Sequence, residues 1–387
     1  MKVFYKKKPC FALSRSLLIN SNRLTPMRIA TYNVENLFSR VKAMNSDDPA
    51  KTTDVLADAA ELQRLIEQPL YSEADKARML QLLKKNKATS SGGPFFLQET
   101  RRRLYSNGKI LADGRADWIG SIEWCRDLIE GPAIDNTGRI INELKADILC
   151  MVEVESRPVL RRFNDTILKD ARYPHAMLID GNDERGIDVG LLCRPMVTDM
   201  RSHVDDLDPA TGRPVFSRDC AEFEIDIPGT HHLWVLVNHF KSRGYGSKAA
   251  NDAKRKRQAE TVAAILRRFD LRRQFVIVAG DFNELPQSES LAPILEPENL
   301  RNSFEKLDAG ADRWTHRDDA IPSKNDQIDY LLISDALWPR LQQVGIERRG
   351  VWANAQKTRA KYPPLTTVTG DTNSASDHAA VWADFDL

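Results

Sequence analysis

Polar side chains that could take part in chemistry stand at the ends of apolar runs in this sequence. In residues 276–283, VIVAGDFN, a predicted buried strand carries Asp281 and Asn283 at its end. In an extended chain, residues two positions apart leave the strand on the same side. A carboxylate beside an amide suits a site that handles a water molecule and a phosphate oxygen. Asp and Asn are also common turn formers, so this motif alone is equally compatible with a simple turn.

The same pattern recurs along the chain. Polar residues follow or interrupt apolar runs at Asn33, Glu153, His239, Asp281, Asn283, Asp329, Asp377 and His378. Capping or salt bridging would explain any one of them, as in the simplest interpretation of Glu153. A single site at one rim of the sheets would explain all of them together.

The oxygen ligands of this set indicate which metal would suit it. Asn33, Glu153 and Asp377 offer carboxylate and amide oxygens, and the sequence has no Cys/His cluster. Such ligands favour a hard cation, Mg²⁺ or Mn²⁺, over zinc. A hard cation beside His and Asp side chains suits phosphoryl transfer to water.

Hydrophobic periodicity predicts the elements that position these residues. Strands are expected near residues 27–34, 147–153, 189–193, 222–227, 233–237, 276–281, 327–333 and 376–382. Helices are expected near residues 53–66, 73–83, 157–168 and 253–269. Several strands follow one another directly, which favours antiparallel pairing. The predicted fold is therefore two mixed β-sheets packed face to face with helices outside.

The length and composition set limits on the class of protein. The chain has 387 residues, of which 42% are hydrophobic and 29% charged, as in globular proteins. The formal net charge of +1 gives no overall attraction to nucleic acid, so any basic surface must be local. No apolar run approaches membrane-spanning length. The five cysteines lack metal-ligand spacing and are interpreted as buried, reduced residues.

The chain is predicted to have a leader, a main domain and an insertion. Residues 1–26 are basic with a broken apolar stretch, which makes a poor secretory signal and predicts either a flexible leader or an artefact of start-codon choice. Residues 27–387 form the main domain, with a mostly helical insertion at about residues 40–140. This insertion begins shortly after Asn33, at the rim where the site is expected, so it is a candidate lid or substrate platform. Its basic cluster at residues 101–103 suits a solvated face or a phosphate-backbone contact.

Taken together, the motifs resemble the endonuclease/exonuclease/phosphatase superfamily, which includes pancreatic-type deoxyribonuclease, abasic-site endonucleases, bacterial sphingomyelinases and inositol phosphatases. The similar segments occur in the family's order at residues 31–36, 152–154, 238–242, 280–283, 327–330 and 376–378. Residues 238–244, NHFKSRG, are similar to bacterial nuclease-like members. The resemblance implies a four-layer α/β sandwich. Two departures are Met151-Val152, where the family more often has Leu-Gln, and the long insertion.

The resemblance also implies a role for each matching residue. Glu153 would be the main metal ligand, supported by Asn33 and Asp377. His378, held by Asp329, would contact the scissile phosphate or share in proton transfer. Together, the metal ion and His378 would stabilise the negative charge of the phosphate, as phosphodiester cleavage requires.

The other roles concern the attacking water and the leaving group. Asp281 would orient or deprotonate the water, and Asn283 would hold a phosphate oxygen. His239 would protonate the leaving oxygen. Three further assignments are an orienting contact of Asp188 with His239 and phosphate binding by Arg185 or Lys241.

The expected function is therefore a metal-dependent phosphodiesterase, with a nuclease acting on DNA or RNA favoured. The alternative is a phosphomonoesterase, or a lipid or sugar phosphatase, with the same chemistry. A non-catalytic binding module fits less well, because every expected catalytic residue type is present. The polymer, the endo or exo mode and the number of metal ions stay open. A cytoplasmic protein without an obligate protein partner is expected, although secreted relatives with the His239 motif leave secretion open.

Overall fold

A computed structural model describes residues 26–45, 48–129, 131–169, 171–227, 229, 232–317 and 325–387. The predicted leader, except for Pro26, lies outside the described residues. Two six-stranded sheets dominate the fold. Their strands are β1 (Met27–Leu37), β2 (Ile148–Val154), β3 (His175–Leu178), β4 (Asp188–Cys193), β5 (Val197–Arg201), β6 (Cys220–Ile225), β7 (Leu233–His239), β8 (Phe275–Asp281), β9 (Leu300–Asn302), β10 (Asp329–Ser334), β11 (Leu341–Glu347) and β12 (Ala380–Phe385).

Helices flank the sheets. They are α1 (Pro49–Ile66), α2 (Glu73–Lys85), α3 (Pro132–Leu144), α4 (Arg157–Thr166), α5 (Lys248–Leu266), α6 (Ala292–Leu295) and α7 (Gln356–Lys361). The predicted N-cap of α2 is correct, since Ser72 and Asp75 form a reciprocal capping box. Within the described residues, no helix is both long and apolar enough to cross a membrane.

Each sheet has one parallel pair of strands near its centre. The first sheet has the order β11-β12-β1-β2-β4-β3, with β1 and β2 parallel and Asn33 opposite Val152. The second has the order β5-β6-β7-β8-β10-β9, with β7 and β8 parallel and His239 opposite Asp281. Parallel neighbours end at the same rim of their sheet. The residues that follow Asn33, Val152, His239 and Asp281 therefore lie near one another at the strand ends.

The two sheets pack face to face around the largest core. Apolar residues from both inner faces, such as Val152 of β2 and Ile277 of β8, form one buried cluster. On the outer face of the first sheet, α3 and α4 bury Ile140 and Phe163 against β1 and β2. On the outer face of the second sheet, α5 buries Val262 against β7 and β8. The predicted four-layer α/β sandwich is confirmed.

The insertion between β1 and α3 has a core of its own. It leaves and rejoins the main domain through an antiparallel pair, Ser39–Val41 with Arg126–Leu128. Its first half holds α1 and α2, which pack on Phe95 and Trp118. Its second half contains two antiparallel strand pairs, Phe95–Arg101 with Ile119–Trp124 and Tyr105–Ser106 with Lys109–Ile110. These strands were not predicted from the sequence, because their charged residues interrupt the alternation of apolar positions.

Candidate active site

The strand ends bring three polar residues from the two sheets into contact. Nδ2 of Asn33 lies 3.2 Å from Oε1 of Glu153 and 3.2 Å from Oδ2 of Asp281. Asn33 and Glu153 belong to the first sheet, and Asp281 belongs to the second. This amide therefore bridges the two sheets at their common rim, and Asn33 and Asp281 are both buried.

Backbone conformation, as well as strand pairing, places the groups at the end of β8. Asn283 has a φ of +55°, so the chain turns instead of staying extended as expected from the sequence. The turn brings Nδ2 of Asn283 to 3.1 Å from Oδ2 of Asp281, while its backbone N–H donates to Oδ1 at 2.8 Å. Gly280 has a φ of +131°, and a Cβ there would lie 1.9 Å from the carbonyl oxygen of Asn238. Only glycine fits this position.

A buried histidine–carboxylate pair lies beside this group. Nδ1 of His378 is 2.9 Å from Oδ2 of Asp329. The Oγ of Ser376 accepts a hydrogen bond from the backbone N–H of His378 at 2.9 Å and donates to the carbonyl oxygen of Asn33 at 2.8 Å. These contacts fix the loop before β12 against β1. Asp377, in the same loop, has its carboxylate Oδ1 3.8 Å from Nε2 of His378.

His239 is buried between two carboxylates. Its Nε2 lies 3.8 Å from Oε1 of Glu153 and 3.7 Å from Oδ2 of Asp281. Burial, followed by the positive charge of Arg218, holds the pKa of His239 well below its ordinary value, so the ring is neutral at pH 7. Its Nδ1 has no hydrogen-bond partner among the residues that the structure describes.

Asp188 does not make the expected contact with His239. Its Oδ1 accepts a hydrogen bond from the backbone N–H of Gly181 at 2.8 Å. The pairing of β4 with β2 shifts register between Asp188 and Val189, which turns this side chain towards the loop before β4. The position of β4 was predicted correctly, but its irregular pairing with β2 could not be predicted from the sequence.

The two cations expected to bind phosphate are engaged at the edge of the site. Arg185 forms a bidentate ion pair with Asp183, at 2.9 and 2.8 Å. Nζ of Lys241 donates to the carbonyl oxygen of Gly244 at 2.7 Å. The structure therefore places Arg185 and Lys241 in the loops around His239, and not among Glu153, Asp281 and Asp377.

Three residues of the site escaped the sequence analysis. Glu35 accepts a hydrogen bond from the backbone N–H of Asp377 at 2.9 Å, and it lies inside a motif segment that the analysis had selected. Nε2 of His316 lies 3.6 Å from Oδ2 of Asp377. Arg218 is only 3% exposed and lies close to His239. His316 and Arg218 do not follow a long apolar run, so no local signal marked them.

Several acidic residues of the site have a raised pKa. Burial raises the pKa of Asp281 to about 7, and loss of hydration together with the charge of Asp377 raises the pKa of Glu35 to about 7. Burial also raises the pKa of Glu153. Carboxylates held together and out of water in this way bind protons or cations. The site is therefore a buried acidic and histidine cluster with an affinity for positive charge.

The donor atoms suit a divalent cation. One group of ligand atoms, from His316, Asp377 and His378, lies within 4.8 Å of one another, and a second group comes from Asp281, Asp329 and His378. Oδ1 of Asp329 is buried and has no hydrogen-bond partner among the described residues. A buried carboxylate oxygen without a partner is costly unless an ion or water meets it. The carboxylates of Asp377, Asp281 and Asp329 and the imidazole of His316 thus fit a divalent metal ion, whereas His378 could bind one only in its neutral form.

Comparison with solved structures finds several proteins that are similar to this chain. An AP endonuclease from Archaeoglobus fulgidus is 18% identical, with a TM-score of 0.47 over 65% of this chain and 93% of that chain. A truncated TDP2 from Caenorhabditis elegans is 17% identical, with a TM-score of 0.44 over 65% of this chain and 89% of that chain. An endonuclease/exonuclease/phosphatase from Bacteroides vulgatus is 17% identical, with a TM-score of 0.46 over 66% of this chain and 90% of that chain.

Sequence comparison identifies the family. No curated protein has a significant match to the chain. A sequence model of the Endonuclease/Exonuclease/phosphatase family matches residues 120–335, more than half of the chain. This range includes Glu153, His239, Asp281, Asn283 and Asp329. The chain therefore belongs to the endonuclease/exonuclease/phosphatase family, whose shared chemistry is the hydrolysis of phosphoester bonds.

Proposed function

We propose that the chain is a divalent-metal-dependent phosphodiesterase, and specifically a nuclease that hydrolyses DNA or RNA. The observation that carries this proposal is the contact across the two sheets, where a neutral His239 lies between Glu153 and Asp281. Hydrolysis of a nucleic-acid diester expels a nucleoside oxygen, and protonation of this oxygen as it leaves favours the reaction. A buried histidine beside the acidic cluster supplies such a donor.

Glu153, Asn33 and Asp377 would hold the metal ion, with Glu35 beside them. The ion, Mg²⁺ or Mn²⁺, would neutralise phosphate charge and lower the pKa of a water molecule. Oxygen atoms dominate this ligand set, which favours a hard cation. His316 adds an imidazole nitrogen next to Asp377, which keeps Mn²⁺ in the proposal beside Mg²⁺.

Asp281 is the proposed base for the attacking water. Its pKa of about 7, raised mainly by burial, lets the carboxylate both accept and release a proton near neutral pH. Asn33 and Asn283 donate hydrogen bonds to the same oxygen, Oδ2, from 3.2 and 3.1 Å. These two amides fix the direction in which Asp281 meets the water. Asn283 would also contact a phosphate oxygen.

His239 and His378 are proposed to act on the charges that develop during cleavage. Among other charges, Asp329 raises the pKa of His378 well above its ordinary value against the effect of burial, so the ring is an imidazolium. Its Nε2 can stabilise a phosphate oxygen. His239 is neutral in the free protein, and the charge of a bound phosphate would favour its protonation. From there it would deliver a proton to the leaving oxygen.

Cleavage of supercoiled plasmid and of a labelled RNA tests the proposal. The purified protein is assayed with Mg²⁺, with Mn²⁺ and with EDTA, beside the variants Glu153→Gln and His239→Ala. We expect nicked, linear or shortened products that require the metal, with at least a 100-fold loss of rate in both variants. His232→Ala is the matched control, because His232 is exposed and lies away from the acidic cluster.

The assay also separates the proposal from its alternatives. A metal-loaded protein that cleaves neither polymer but releases phosphate from monoesters, lipid headgroups or sugar phosphates would be a phosphatase. Nucleic-acid binding without turnover, unchanged in Glu153→Gln, would instead show a binding module. Either result contradicts a nuclease.

A further inference from the structure

The loop that follows His239 holds one aromatic side chain out in solvent. Tyr245 is 84% exposed. Its φ of +57° lies in the left-handed region, which a tyrosine rarely adopts. Aromatic side chains usually gain stability from burial, and this one gains almost none. Exposure and an unfavourable backbone conformation at the same residue indicate that the ring serves a purpose other than folding.

The backbone around Tyr245 is held in place. Nζ of Lys241 donates to the carbonyl oxygen of Gly244 at 2.7 Å. From α5, Nδ2 of the buried Asn251 donates to the carbonyl oxygens of Arg243 at 3.0 Å and Gly244 at 3.2 Å. The residues directly before Tyr245 are thus anchored from two directions. The loop therefore holds the backbone from which the ring projects, as a binding platform requires.

A chain of charges connects the ring to His239. The guanidinium carbon of Arg185 lies 5.8 Å from the ring centre of Tyr245. Arg185 is held by Asp183, whose Oδ2 also lies 3.2 Å from Nε of Arg218. After burial, the charges of Arg218 and Arg185 are among the causes that lower the pKa of His239. Tyr245 and Arg185 therefore lie on the His239 side of the site.

We propose that Tyr245, with Arg185 beside it, is a stacking platform for the nucleobase next to the leaving oxygen. The substrate class that follows is single-stranded or unpaired nucleic acid. An exposed aromatic ring can stack only on a base whose own face is free, and duplex bases cover one another. This inference rests on the proposed nuclease function and on the role of His239 at the leaving group.

Three oligonucleotides of one sequence test the platform. The first is single-stranded, the second is the blunt duplex, and the third is single-stranded with a tetrahydrofuran abasic residue next to the cleaved bond. On the first, we expect Tyr245→Ala to lose roughly 5- to 100-fold in kcat/KM, and Tyr245→Phe to keep the wild-type value. On the abasic strand, Tyr245→Ala should match the wild-type protein. Leu207→Ala, at another exposed apolar residue, is the control.

Other results would contradict the platform, the nuclease proposal or both. If the wild-type protein cleaves the strand and Tyr245→Ala cleaves it equally well, or loses as much on the abasic strand, the platform is wrong and the nuclease proposal stands. A wild-type preference for the duplex also overturns the platform alone. If the wild-type protein binds the strand without cleaving it, fluorescence anisotropy of Tyr245→Ala decides the platform while the nuclease proposal fails. No cleavage and no binding by the wild-type protein overturns both.

Discussion

Nδ1 of His378 lies 2.9 Å from Oδ2 of Asp329, and both side chains are buried at the rim between the two sheets. Burial opposes a charge on the ring, but Asp329, Asp377 and Asp281 raise its pKa well above the ordinary value. Because Nδ1 is occupied, Nε2 is the nitrogen on the side of the acidic cluster, 3.4 Å from Nδ2 of Asn33 and 3.9 Å from Oδ2 of Asp281. Under the proposed function, the pair would present a positive hydrogen-bond donor to the phosphate.

Replacement of Asp329 by Asn tests this pair. The amide keeps the shape of the side chain but removes the charge that favours the imidazolium form of His378. We expect kcat to fall by roughly 10²- to 10⁴-fold, with a much smaller change in KM, as for other histidines that lose their orienting carboxylate. The pKa of His378, measured by NMR, should fall in the variant. Asp205→Asn, at an exposed carboxylate, is the control, and an unchanged pKa of His378 would contradict the explanation.

Gly280 is expected to be required for both the fold and the site. An added Cβ would lie 1.9 Å from a backbone oxygen of β7, so Gly280→Ala must move β7 or β8 apart. We expect the free energy of unfolding to fall by about 3 kcal/mol, measured by urea denaturation. Gly131→Ala, where a Cβ would meet no atom within 4 Å, should change stability little. If Gly280→Ala were as stable as the control, the strands would tolerate far more movement than this packing indicates.

The central strands could be predicted because burial on both faces leaves long apolar runs, and the polar residue that ends each run is visible. This rule identified Asn33, Glu153, His239 and Asp281 as residues of one rim. These residues are distant in the sequence and come together through strand pairing. Their proximity could be predicted because neighbouring parallel strands end on the same side of a sheet.

Contacts made by turns and by irregular pairing could not be predicted in this way. Asn283 meets Asp281 through a left-handed turn and not through an extended strand. Asp188 contacts Gly181 because of a register shift. His316 stands in a strand of two residues, His316–Arg317, which is too short to show any periodicity. Such residues reach the site through tertiary contacts that leave no local pattern.

Removal of the insertion tests whether it is a substrate platform. Its core is separate from those of the main domain, and it is joined by one strand pair that ends with a hydrogen bond from Lys42 to Cys125. Replacement of residues 43–124 by Asn-Gly would close this pair as a two-residue hairpin. We expect the shortened protein to stay folded and to hydrolyse a small diester such as bis(p-nitrophenyl) phosphate at a similar rate.

The substrate preference of the shortened protein decides the question. If the insertion is a platform, its loss should raise KM for polymers by about tenfold and leave kcat for the small diester unchanged. The same preference among single strand, duplex and small diester in both proteins would show that the insertion does not act on the substrate. Circular dichroism and thermal unfolding of both proteins exclude misfolding as the cause.

His203 and the fully buried Glu222 form a second charge cluster. Nδ1 of His203 is 2.7 Å from Oδ2 of Asp206, and its Nε2 contacts the fully buried Glu222. Arg268 and Arg201 also face Glu222. Burial alone would lower the pKa of His203, but the hydrogen bonds to the two carboxylates raise it above 6.5.

This raised pKa gives the protein a pH-dependent stability. A histidine whose pKa is higher in the folded state stabilises fully below its unfolded pKa, about 6.5, and loses the contribution as the pH rises through the folded value. We expect His203→Gln to lower the free energy of unfolding by about 1 kcal/mol at pH 6. The difference between the two proteins should shrink as the pH rises above 6.5. His232→Gln, at an exposed histidine, should show no such trend, and a constant difference for His203→Gln would mean that the ring acts as a neutral hydrogen-bond donor instead.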